Sequence, residues 1–167
     1  MSIAVLGGIF ISLCLFYFLL LPIDNLSKVV TNFICKNILQ IGFLISLAAM
    51  VSSLIYSDVI GYPPCMFCWW ARIMFYPQVF LFGYAILKKD KNIIPYSIIL
   101  TTLGLIITTY HSIIQMVGES LVPCTAGGVS CLTRDVYTFG FITIPFMGVV
   151  GFTVLLLSLI ISKKVSK

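Results

Sequence analysis

The 167-residue chain is 60% hydrophobic and only 9% charged, where soluble domains carry about 25% charged residues. That balance excludes a soluble globular protein, and the length allows one domain. The net charge of +5 does not point to nucleic acid either, because the lysines lie in separate clusters between long apolar runs.

A spanning helix needs about 20 mainly apolar residues. Five runs meet this, at residues 3–23, 38–57, 66–87, 92–117 and 139–162. Short connectors join the first four. Only residues 118–138 are long enough to form a loop of substance. No Lys or Arg precedes Lys28, whereas a cleaved signal peptide begins with a basic region, so an N-out spanning helix is the expected reading of the first run.

The eight lysines are Lys28 and Lys36, then Lys88, Lys89 and Lys91, then Lys163, Lys164 and Lys167. With all five runs spanning, these three clusters share one side. The positive-inside rule makes that side cytoplasmic, with the N-terminus out and the C-terminus in. Arg72 and Arg134 fall near the opposite, outer side. The expected fold is an all-α integral membrane protein, one domain over residues 1–167. It has a four-helix transmembrane core over residues 38–162 and one additional N-terminal transmembrane helix over residues 3–23.

Of six cysteines, Cys14 and Cys35 stand among apolar neighbours and read as small buried residues. The other four face outward. Cys65 and Cys68 form Cys-x-x-Cys at the start of the third run, and Cys124 and Cys131 lie in the outer loop. The outer side is where disulfides persist, so two close pairs suggest two disulfides. A ring closed across one helical turn restrains the unfolded chain little. It serves better as a redox switch.

Cys68 stands in the first turn of a helix, where the macrodipole favours a thiolate, the reactive form. Arg72, four residues on, lies on the same face. A zinc site is the competing reading of Cys-x-x-Cys. However, the second pair has six intervening residues and no histidine near it in sequence, so no metal is assigned. The rival function is a non-catalytic membrane protein with an outer zinc site or structural disulfides.

An ionisable residue inside a spanning segment is a functional candidate. Arg72 and His111, the sole histidine, each lie six residues inside the outer end of their runs, roughly 9 Å deep at 1.5 Å per residue. Each alone has a structural explanation, snorkelling for Arg72 and an interhelical hydrogen bond for His111. At matched depth beneath Cys68 they are expected to line one pocket. There a cation and a donor would stabilise charge developing on a quinone. Trp69, Trp70, Phe75 and Tyr76 surround that region, Pro77 should kink the third helix, and Gln78 is a further polar candidate.

The run Pro64-Cys65-Met66-Phe67-Cys68-Trp69-Trp70-Ala71-Arg72-Ile73-Met74-Phe75-Tyr76-Pro77 resembles the DsbB/BdbC family of disulfide bond formation proteins. So does Phe139-Gly140-Phe141-Ile142-Thr143-Ile144-Pro145. The resemblance covers residues 38–162. The short second pair is similar to the compact BdbC branch. The first run is additional to the usual four-helix core, and Ala71 stands where the family often has Gln or Glu.

The resemblance implies a thiol–quinone oxidoreductase of the bacterial cytoplasmic (inner) membrane, with its active cysteines on the outer, periplasmic face. Such a protein reoxidises a DsbA-like thioredoxin-fold partner. The DsbA–DsbB–quinone relay is the known means by which the bacterial periplasm is kept oxidising. It further implies that Cys124 holds the mixed disulfide with the partner and that Cys131 attacks Cys65. Cys68 is freed beside the quinone, either ubiquinone or menaquinone, which Arg72 and His111 would bind. A vitamin-K-epoxide-reductase-like protein does related chemistry, but its loop cysteines precede the Cys-x-x-Cys instead of following it.

Overall fold

A computed structural model describes residues 2–20, 25–118, 130–132 and 142–165. Cys124, Arg134 and most of the 118–138 loop lie outside the described residues. Five long helices occur in chain order: α1 (Ser2–Leu20), α2 (Asn25–Leu54), α3 (Met66–Lys88), α4 (Ile94–Val117) and α5 (Ile144–Val165). A π-helical turn, Ile55–Val59, continues α2.

Among the described residues, three helical segments are long and apolar enough to cross a membrane: Lys28–Val59, Ile94–Val117 and Ile144–Val165. In α1 the apolar described stretch is Leu6–Tyr17. The 23 residues of α3 suffice in length, but Arg72, Pro77, Gln78 and the Trp and Tyr residues lower its hydropathy.

Boundaries follow local chemistry. Where the apolar run puts the start of the second helix at residue 38, α2 begins 13 residues earlier, at Asn25, and bends at Asn37 (φ −108°, ψ 16°). The Asn37 side chain donates to Phe33 O at 3.1 Å, one helical turn back. Lys28 and Lys36, expected in a connector, are therefore helical. Helix α3 runs unbroken through Pro77. It stops at Lys89, which is left-handed (φ 53°) and whose N–H bonds the carbonyls of Ala85 and Ile86. Pro95 lies in the first turn of α4, where a missing N–H costs nothing. Thr143 caps α5, its carbonyl accepting from Met147 N at 3.0 Å.

Helix α2 packs on α3, α3 on α4, α4 on α5 and α5 back on α2, while α1 packs on α5. The helices approach closely where glycine faces an aromatic ring. A Cβ on Gly104 would lie 2.2 Å from the Phe152 ring, and one on Gly42 would lie 2.6 Å from Phe82. Small residues at helix contacts are what close packing in lipid requires. The polar side chains Gln78, Ser97, Thr101, Ser158 and Ser162 are buried, whereas Phe80, Leu87, Ile99 and Ile106 are exposed. This inside-out distribution suits an apolar solvent. Thr101 Oγ1 lies 2.6 Å from Ser97 O and 3.1 Å from Gln78 Oε1, donating to one at a time. Gln78 is thus an α3–α4 contact within the core.

The alternating helices have two distinct ends. One carries Lys28, Lys36, Lys88, Lys89, Lys91, Lys163 and Lys164. There Lys91 Nζ donates to Cys35 O at 2.7 Å. The other end carries the start of α3, the end of α4 and residues 130–132.

Candidate functional site

Cys65 is the N-cap of α3 (φ −75°, ψ 175°), and its carbonyl accepts the first helical bond from Trp69 N at 3.2 Å. The Cys65 and Cys68 sulfurs are 3.3 Å apart, with Cys65 donating. A disulfide measures about 2.05 Å, so the pair stands here as two thiols in contact.

The fold adds two groups that sequence spacing does not place. His111 on α4 reaches across so that Nε2 lies 3.6 Å from Cys65 Sγ. The same nitrogen lies 3.2 Å from the backbone oxygen of Cys131. A carbonyl only accepts, so Nε2 carries the proton in this arrangement. Gln115, one turn beyond His111 on the same face, donates from Nε2 to the same oxygen at 3.3 Å. Two side chains of α4 thus hold one carbonyl of the segment between α4 and α5.

The consequence is a buried knot of thiols. The ligating atoms of Cys65, His111 and Cys131 all lie within 4.8 Å of one another. Cys65 is 3% exposed and Cys131 1%. Ile114, Met66, Phe67, Tyr110 and Leu132 pack around them, and Phe67 lies against Tyr110 edge-on at 5.4 Å. The hydrogen bond to Cys68, together with burial, pushes the Cys65 thiol up to about 12, partly opposed by His111. Cys65 therefore stays protonated across the physiological range while its neighbour is reduced.

Arg72 is on the expected face of α3, but it turns toward α2. Its Nε donates to Ser53 Oγ at 2.9 Å, its Nη2 donates to Ser53 O at 3.2 Å, and the guanidinium lies 5.1 Å from the centre of the Trp69 ring. The structure therefore brings His111 to Cys65 and Cys131 and hydrogen-bonds Arg72 to Ser53. Phe75 is core, stacked on Phe152 at 3.7 Å, whereas Trp69 and Trp70 are exposed. Cys14 and Cys35, on α1 and α2, are half-buried. Sequence reasoning missed Ser53 and Gln115. Gln115 alone carried a signal, as an amide four residues after His111 and so on the same face of the helix.

Comparison with known proteins identifies the family. The family model for "Disulfide bond formation protein DsbB" matches residues 36–162. A "SPbeta prophage-derived disulfide bond formation protein B" of Bacillus subtilis (strain 168) is 39% identical over 132 residues, 77% of this chain and 89% of that protein. A "Probable disulfide formation protein" of Oceanobacillus iheyensis is 36% identical, covering 72% of this chain and 84% of the relative. The "Probable disulfide formation protein C 1" of Bacillus anthracis is 38% identical, covering 71% and 86%. No solved structure matches. With the family model covering most of the chain, the protein belongs to the DsbB family of disulfide bond formation proteins.

Proposed function

We propose that the chain is a five-span thiol–quinone oxidoreductase, N-terminus out and C-terminus in. In this reading it generates disulfides at the outer face of the bacterial cytoplasmic membrane through Cys65, Cys68, Cys124 and Cys131. The observation that carries this is the burial of Cys131, a loop residue, within 4.8 Å of the Cys65 sulfur. That proximity is what exchange between two pairs requires.

The relay is thiol–disulfide exchange at each step. A thiolate of a DsbA-like, thioredoxin-fold partner attacks the Cys124–Cys131 disulfide, joining Cys124 and releasing Cys131. The Cys131 sulfur attacks Cys65, breaking the Cys65–Cys68 bond and leaving the electron pair on Cys68. The partner's second thiol then displaces Cys124, which returns to Cys131 and frees Cys65. The partner leaves as a disulfide, and two electrons and two protons remain on the Cys65–Cys68 dithiol.

A membrane quinone, ubiquinone or menaquinone, supplies the two-electron, two-proton sink. The residues present suit one. Arg72 is fixed by Ser53 through Nε and Nη2, while Nη1 makes no hydrogen bond among the described residues. A fixed cation with a donor to spare stabilises negative charge on an acceptor oxygen. Exposed Trp69 and Trp70 offer flat surfaces beside Cys68. His111, which the family resemblance makes a quinone ligand, lies 3.2 Å from the Cys131 carbonyl and 3.6 Å from Cys65 Sγ, where it steadies Cys131 and donates toward Cys65. The His111–Gln115 clamp aims the loop thiol at its target, and burial keeps water from the exchanging sulfurs.

The test is anaerobic reduction of a soluble quinone analogue by a dithiol thioredoxin-fold protein. Wild type should sustain turnover and Cys68→Ser should abolish it. Equal turnover in the variant would refute the assignment of Cys68.

A further inference from the structure

We propose that the fully reduced protein binds a thiophilic divalent cation, of which zinc is the type, through Cys65, His111 and Cys131. Cys68 is within reach of the fourth position. Bound metal holds the two cysteine pairs shut until it is withdrawn.

The spacing of cysteines in the sequence speaks against zinc, because no histidine accompanies the second pair. The fold removes that objection by placing His111 beside both Cys65 and Cys131. A tetrahedral zinc ion with bonds of about 2.3 Å to sulfur and about 2.0–2.1 Å to nitrogen sets its ligands roughly 3.5–3.8 Å apart. The separation of Cys65 Sγ from His111 Nε2 is 3.6 Å, and all three ligating atoms fall within 4.8 Å. Closing the set takes small side-chain movements. Cys68 Sγ, 3.3 Å from Cys65 Sγ, supplies a third sulfur by a rotamer change. Thiolate with imidazole is a donor set that selects zinc over magnesium or calcium.

The surroundings supply the second layer that metal sites use. When His111 Nε2 turns to the metal its proton moves to Nδ1, and Gln115 still donates to the Cys131 carbonyl at 3.3 Å. The binding step is not a redox reaction. Zn²⁺ displaces the protons of Cys65 and Cys131, and of Cys68 where it joins, and those protons leave to solvent. Affinity therefore rises with pH. A disulfide at either pair removes ligands, so only the reduced form binds. Such a protein is captured when its electron acceptor is exhausted, and its thiols are then protected from stray oxidation.

The inhibitory consequence rests on the relay proposed above, but the binding does not. The experiment uses the full chain in detergent, reduced anaerobically and freed of metal. It is titrated with Zn²⁺ against a chromophoric chelator, and with Co²⁺ followed optically. The expected results are one Zn²⁺ per reduced chain, none per oxidised chain, and a thiolate-to-cobalt charge-transfer band. His111→Ala and Cys131→Ser should each weaken binding at least tenfold with helical content unchanged, while Cys14→Ser and Cys35→Ser leave it as it was. No stoichiometric binding to the reduced protein overturns the proposal. So does affinity unaltered in both His111→Ala and Cys131→Ser, which would mean the metal sits on Cys65 and Cys68 alone. Quinone reduction without metal is measured on the same samples. Turnover without zinc binding sinks only this inference, and zinc binding without turnover sinks only the relay.

Discussion

At the scale of single residues, the site is a set of directions in space that a sequence gives only in part. Counting residues from the ends of the apolar runs puts Arg72 and His111 at one expected depth beneath Cys68, whereas the fold sets His111 against Cys65, seven residues before Arg72 in α3. The rise per residue says how far along a helix a side chain lies and not which neighbour it meets. Arg72 and His111 are expected to line one pocket beneath Cys68; Arg72 bonds Ser53, and His111 meets Cys65 and Cys131. Gln115 provides a clean test of the clamp. A neutral hydrogen bond is worth about 0.5–1.5 kcal/mol, so Gln115→Leu should slow oxidation of the protein partner by about three- to tenfold. Quinone reduction driven by a small dithiol should be unaltered, and stopped-flow measurement of both rates checks this. Arg72→Met retains length but removes the cation. It should raise the quinone concentration needed for half-maximal rate, or slow its reduction, while a mixed disulfide with the partner still forms. The raised Cys65 thiol makes a pH prediction with a definite sign. The thiolate appears only as pH approaches about 12, so alkylation of Cys65 in the reduced protein should show no titration between pH 7 and pH 10. In Cys68→Ala, which removes the acceptor that holds the proton on Cys65, the onset should move to lower pH. Mass spectrometry of the alkylated peptides reads both.

At the scale of elements, apolar runs gave α3 and α4 nearly to the residue, because the ends of those helices coincide with changes in composition. The start of α2 was lost because Lys28, Thr31, Asn32 and Lys36 dilute the run, although the backbone stays helical until it bends at Asn37. The fifth helix, read from residue 139, begins at Ile144 behind the Thr143 cap. The Gly104–Phe152 contact was invisible in the sequence, since it depends on which faces of α4 and α5 meet. It carries a stability prediction. Because a Cβ at Gly104 would lie 2.2 Å from the ring, Gly104→Val must push α5 away. It should cost about 1–3 kcal/mol, the usual range for overpacking. Unfolding in a graded series of SDS measures it.

For the whole molecule, the arrangement separates a lysine-rich end from a thiol-rich end, and the proposed sidedness rests on the lysines. A reporter fused to the C-terminus should be active only when it is a type that works in the cytoplasm. Activity on the outer face would reverse the orientation and put both cysteine pairs on the wrong side. The docking of the outer loop onto α4 was the least legible feature, because it rests on a backbone carbonyl, which every residue carries. The central claim, that the two cysteine pairs act in series, is tested most directly by separating their inputs. Purified Cys124→Ser and Cys131→Ser variants are assayed for quinone reduction, once with the thioredoxin-fold partner as donor and once with a small dithiol that acts on Cys65–Cys68 directly. The account predicts that turnover with the protein partner is abolished in both variants while turnover with the small dithiol partly survives. Equal loss with both donors, or no loss with either, would contradict it.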